Sequence, residues 1–112
     1  MVTAETAVVL PVLVVVLLAA AWVLSCIAAQ LRCVDAARVG ARAAARGDAP
    51  AAVEAATARV APADAEIALT RDGDEVTVLV RAVVRPFGAA LARLPGMPVA
   101  GRATAVTEGS LP

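Results

Sequence analysis

Between Glu5 and Arg32 the chain carries no charged side chain: Thr6 to Leu31 is a run of 26 uncharged residues, almost all Val, Leu and Ala. About 20 apolar residues rising ~1.5 Å each cover a bilayer core of ~30 Å, so the run is long enough to span, even when tilted. A helix in a soluble core rarely runs so far without a polar face. The stretch from Met1 to Arg46 therefore reads as one long helix, lipid-embedded to Leu31 and continuing into water. Glu5 suits the positive end of the helix dipole. Pro11 removes one backbone donor inside the run, which membrane helices tolerate when local adjustments or neighbours satisfy the freed carbonyl. Trp22 suits an anchor at the far interface or a contact with a neighbouring helix.

With that span set aside, the 112 residues leave room for one small domain. Hydrophobic residues make up 61%, yet Trp22 and Phe87 are the only aromatics. A core of Ala and Val buries little area per residue, so the soluble part is expected to lean on the helix or on partner subunits.

The helix carries two patterns beyond its middle. Cys26, Cys33, Gly40 and Gly47 recur every seven residues, with Ala29, Ala36 and Ala43 at the same spacing between them. This is a seam of small side chains on one face, where backbones approach closely; an Ala-rich chain also places small residues by chance. On another face Arg38, Arg42 and Arg46 follow Asp35, the pattern of a solvated row. Gly47 and Pro50 stop the helix, Asp48 is placed to cap the next one, and Ala51 to Val60 reads as a short amphipathic helix closed by Pro62.

The period then changes to two. Glu66 to Arg71 alternates, Asp72-Gly73-Asp74 signals a turn, and Glu75 to Arg85 points Val76, Val78, Val80, Ala82 and Val84 to one side. Pro86 ends that strand. Phe87 to Pro98 is broken by Pro and Gly around a helical turn at Ala89 to Arg93, and Val99 to Glu108 alternates weakly as a third strand. The expected fold class is α+β: a long N-terminal transmembrane helix, a short second helix and a small three-stranded antiparallel sheet. The expected divisions are a transmembrane half (1–31), an extramembrane half of the same helix (32–47), a small domain (48–108) and a tail (109–112). The second half of the long helix, with Val34, Val39 and its alanines, is the natural cover for the apolar sheet face.

Charge and composition narrow the function. Ten basic residues, all Arg, balance ten acidic ones, so the net basic face that grips nucleic acid is missing. Without His there is no His-based metal site and no Ser–His or Cys–His nucleophile. Cys26 and Cys33, about 10.5 Å apart along one helix, are too far apart for an intrahelical bridge. Asp72, Asp74 and Glu75 lack a full calcium loop, and no glycine pattern cradles a phosphate. No cofactor, metal or catalytic residue is expected; the work of this chain is expected to be positional.

A hydrophobic helix beginning at the first residue with Glu at position 5 resembles the type IV pilin class. The segment Gln30-Leu31-Arg32-Cys33-Val34-Asp35-Ala36-Ala37-Arg38, followed by Gly40 to Gly47, is similar to the actinobacterial TadE-like minor pilins of tight-adherence (Flp) pilus systems. The resemblance covers most of the first 47 residues. It implies that Met1 to Glu5 is a mature start, with a basic leader ending in Gly removed by a prepilin peptidase or lying upstream of the assigned start. It implies that Glu5 pairs with the N-terminal amine, at Met1, of a neighbouring subunit and so sets register. Cys26, Ala29, Cys33, Ala36, Gly40 and Ala43 would be the helix-packing seam. The implied partners are the membrane, other pilin subunits and pilus assembly platform proteins, with no nucleic acid. The implied location is a single pass in the cell membrane, the C-terminal domain extracytoplasmic, with incorporation in a surface pilus. Counting Arg32, Arg38, Arg42 and Arg46 would instead place the domain in the cytoplasm; a basic leader changes that count, and the outside placement is preferred. Two alternatives stand beside it: a lipoprotein acylated at Cys26, from the loose lipobox Val23-Leu24-Ser25-Cys26, and a membrane-anchored accessory subunit of another complex.

Overall fold

The computed structural model describes residues 2–85 and 95–107. The expectations for Met1, for Pro86 as strand end, for a helical turn at Ala89 to Arg93, for Glu108 and for the tail from Gly109 lie outside the described residues. The elements in chain order are α1 (Val2–Ala45), α2 (Pro50–Val60), β1 (Glu66–Asp72), β2 (Glu75–Val84) and β3 (Met97–Val106). The sheet is antiparallel in the order β1-β2-β3. This is the α+β arrangement expected: one long apolar helix, a short helix and a three-stranded sheet.

α1 is a single helix of 44 residues, about 66 Å long at 1.5 Å per residue; the molecule's longest extent is 80 Å. Pro11 lies inside it without ending it. The helix ends in a Schellman motif. Gly47 takes a left-handed φ of 86°. Its N–H donates to the Ala44 carbonyl at 3.0 Å, and the Asp48 N–H to that of Ala43 at 3.2 Å, satisfying carbonyls that a helix end leaves unpaired. Because Asp48 is held in this motif, its carboxylate accepts from Arg46 at 3.1 Å and does not cap α2. The N-cap of α2 is Ala49, with no side-chain cap, and Pro50 opens the first turn, where its missing N–H costs nothing.

The hairpin register pairs Asp72 with Glu75 across Gly73-Asp74. Gly73, at φ 62°, supplies the positive φ that a type II′ turn needs at its first central position. β2 is the central strand and points Val76, Val78, Val80 and Ala82 into the core, with Val84 half-buried at its end. β3 begins at Met97, two residues before the start read from alternation, and contains Pro98. An edge strand accommodates Pro because one side of its backbone has no partner.

The core lies where α1 crosses the sheet. Cys33, Ala36, Ala37 and Ala41 pack on Val78, Val80, Ala82 and Val99; Ala43 and Ala44 pack on Val53 of α2 and Val76. Two glycines set the closeness of this packing. A Cβ on Gly101 of β3 would overlap the Cys33 carbonyl and the Val34 amide, so strand and helix touch backbone to backbone. A Cβ on Gly40 would overlap the Thr57 hydroxyl of α2 and lie 3.0 Å from Val78. Thr57 is fully buried and donates to the Val53 carbonyl at 2.7 Å, so its hydroxyl is satisfied as a buried polar group must be. Val34 and Val39, expected among the covering residues, are only half-buried; the small residues alone make the contact.

Candidate functional site

The candidate site is the helix itself, used differently along its length. From Val8 to Leu31 the large aliphatic side chains are exposed all round. Within α1 is a stretch apolar and long enough to cross a membrane, and none of it is buried by the rest of the chain. From Cys33 to Ala44 one face is sealed by the sheet and α2. The changeover falls near Gln30, whose side-chain oxygen accepts the Ala100 N–H at 3.1 Å and ties the start of the sheet contact to the end of the apolar run.

The predicted residues divide along the same line. Cys33, Ala36, Gly40 and Ala43 are brought together under the sheet. Cys26 and Ala29 are half-buried on the same face, Ala29 against the edge of the core. The distal half of the small-residue face is therefore filled by this chain's own domain, while the half around Cys26 remains open to a neighbour. Burial pushes the Cys33 thiol above its ordinary value, and with no exposed surface it is sealed from a partner's thiol. Glu5 is exposed in the first turn of α1, about 36 Å along the axis from Ala29. It makes no ion pair among the described residues; Met1 lies outside them.

Arg38, Arg42 and Arg46 are exposed, as are Arg32 and Asp35, on the side of α1 turned away from the sheet. Of these, Arg46 alone is paired among the described residues, with Asp48 at 3.1 Å. Sequence reasoning missed Gln30, Thr57 and Gly101. A glycine inside an alternating strand is a signal of close backbone approach, and Gly101 had that signal. Thr57 had none beyond falling on the apolar side of α2. Among the described residues no three Cys, Asp or Glu side chains are close enough to share a metal ion.

One apolar helix left bare at one end and built into a small α+β domain at the other defines a membrane-anchored protein. Comparison with known proteins agrees. The sequence profile described as TadE-like protein matches residues 1–42. A Mycobacterium tuberculosis protein named apoptosis inhibitor Rv3655c is 36% identical over 104 residues, spanning 93% of this chain and 77% of that protein. That likeness runs past the profile into the sheet. No solved structure matches. The chain belongs to the TadE-like family, whose proteins are associated with Tad pili.

Proposed function

We propose that this chain is a minor-pilin-like structural subunit of a tight-adherence pilus, acting by position and not by catalysis. The observation that carries the reading is the bare apolar half of α1 joined without a break to a packed domain. Such a helix is stable in lipid, and equally in a bundle of similar helices. The folded domain is held outside the membrane on the end of the same rod.

Glu5 supplies the register. A carboxylate inside a bilayer costs up to ~2.5–3.5 kcal/mol at the centre and less near an edge. A cation on a neighbouring subunit relieves that cost, which favours one axial offset between helices over others. The N-terminal amine of an adjacent subunit is the natural cation. The domain is extracytoplasmic, and the immediate partners are other pilin subunits and the assembly platform.

Replacing Glu5 with Ala tests this. Surface piliation is expected to fall to background while the protein still accumulates in the membrane; wild-type piliation in the variant would refute the register role. A reporter fused after Pro112 should be active only outside the cytoplasm. Intact mass of the extracted protein should show the helix retained; a chain beginning at an acylated Cys26 would replace this reading with an anchored lipoprotein.

A further inference from the structure

Although the net charge is zero, two places on the surface set like charges side by side. Arg38 and Arg42 are exposed one turn apart on α1, their Cβ atoms about 5–6 Å from one another. Like charges at that spacing destabilise a helix. Asp72 and Glu75, also exposed, face each other as the last register pair of the hairpin, their Cβ atoms about 5 Å apart, and like charges directly opposite are likewise unfavourable. Among the described residues none of the four has an ion-pair partner. Asp35, exposed one turn before Arg38, offsets that charge in part, while Arg42 has no acidic residue one turn away on its own helix; the chain thus holds two like-charge pairs of opposite sign and similar spacing.

They cannot relieve each other within one molecule. Val76 and Val78 point from β2 toward α1, so Glu75 and its partner Asp72 lie on the outer face of the sheet. Arg38 and Arg42 lie on the opposite side, behind the helix. The order of contacts fixes the heights: Val76 packs beside Ala44 and Val78 beside Gly40, while Val99 and Ala82 lie in the cluster with Cys33. The hairpin turn is therefore at the end of the molecule far from the apolar run.

We propose that the Arg38–Arg42 face of α1 takes the Asp72–Glu75 hairpin end of a second copy of this chain. Charge complementarity and the shared spacing select that occupant. The contact joins two different surfaces, so it is heterologous and repeats head to tail. It rests on the filament reading above and names the interface between extramembrane domains. Anionic lipid fits the pair less well: Arg38 and Arg42 lie about 10.5 and 16.5 Å beyond Leu31 along the axis, so headgroups about 5–7 Å deep come near Arg38 but leave Arg42 beyond the ~8 Å over which charge acts at physiological salt.

The test uses the full chain with Cys26→Ser, leaving the sealed Cys33 in place, and two distinguishable tags in one membrane. One copy carries Arg42→Cys and the other Asp72→Cys; both sites are exposed and outside the core. A short bismaleimide is expected to give the mixed dimer. Each same-site dimer should be weaker by about fivefold or more, the worth of one good exposed ion pair. Adding Arg38→Glu to the first copy should lower the yield by about as much, and Glu75→Arg on the second should restore it. No mixed dimer, equal same-site dimers or no rescue overturns the proposal. So does a yield that appears in phosphatidylglycerol vesicles and vanishes in phosphatidylcholine, which would assign the stripe to lipid. If cross-linking fails while Glu5→Ala still abolishes piliation, this interface is wrong and the pilin reading survives.

Discussion

Gly101→Ala is the most direct perturbation of the helix–sheet contact. The new methyl would meet the backbone of Cys33 and Val34, which has no rotamer to escape into, so β3 and α1 must separate. Overpacking typically costs about 1–3 kcal/mol. Here the upper end applies, because separation also loosens Cys33, Ala36, Ala37 and Val99, all packed in that cluster. A gap of about 0.5–1 Å already forfeits a quarter to a half of each dispersion contact. We expect a loss of about 3 kcal/mol, more than half of the ~5 kcal/mol that a domain this small is expected to have. With a guanidinium m-value of about 2 kcal/mol/M, the midpoint falls by about 1.5 M. The membrane half stays helical in a micelle, so the readout is maleimide reactivity of Cys33 in a Cys26→Ser background, a thiol that becomes accessible only when the sheet leaves the helix. Gly47→Ala is the control: its φ of 86° is strained for Ala but nothing lies within 4 Å, so it should cost only about 1 kcal/mol. A Gly101→Ala midpoint no lower than that of the control would refute the backbone-contact reasoning.

Gly40→Ala should cost about 2 kcal/mol because its methyl meets Thr57; in a Thr57→Ala background the two losses should sum to at least about 1 kcal/mol less than additive, read by the same denaturation in a double-mutant cycle. Because burial raises the folded-state pKa of Cys33 above its ordinary 9.0, its contribution is complete below that value and is lost as pH rises through the folded pKa. The stability of wild type should therefore decline above about pH 9 relative to Cys33→Ala, measured as denaturation midpoint against pH. Gln30→Leu removes the acceptor of the Ala100 N–H and should cost about 1 kcal/mol, with faster amide exchange at Ala100 as the local signature.

Much of this architecture is legible in the sequence. Thr6 to Leu31 shows by length and polarity a helix apolar enough to cross a membrane, and the alternation of β2 put Val76, Val78, Val80 and Ala82 on the buried face where they lie. The start of β3 was misplaced because Pro98 reads as a breaker, and only the sheet order reveals that its strand is an edge. Asp48 was misassigned as a cap because the Schellman motif engaging it depends on Gly47 adopting a left-handed φ, and Asp48 also had Arg46 within reach. The candidate site was legible only in outline. Cys33, Ala36, Gly40 and Ala43 share a face by spacing alone, but whether that face meets a neighbouring helix or the chain's own sheet is a tertiary fact. Gly101, 68 positions beyond Cys33, supplies half of the answer.

No loop lies between the part of α1 suited to lipid and the part that carries the sheet; the changeover happens inside one unbroken rod, at Gln30 and Ala100. There is consequently no slack to take up. A pull on the apolar end reaches β3 directly, through Gln30 and the Gly101 contact, as a shear along the strand. The fold behaves as a lever with its load bolted to the shaft, and it will yield by sliding the sheet along α1, not by stretching a tether.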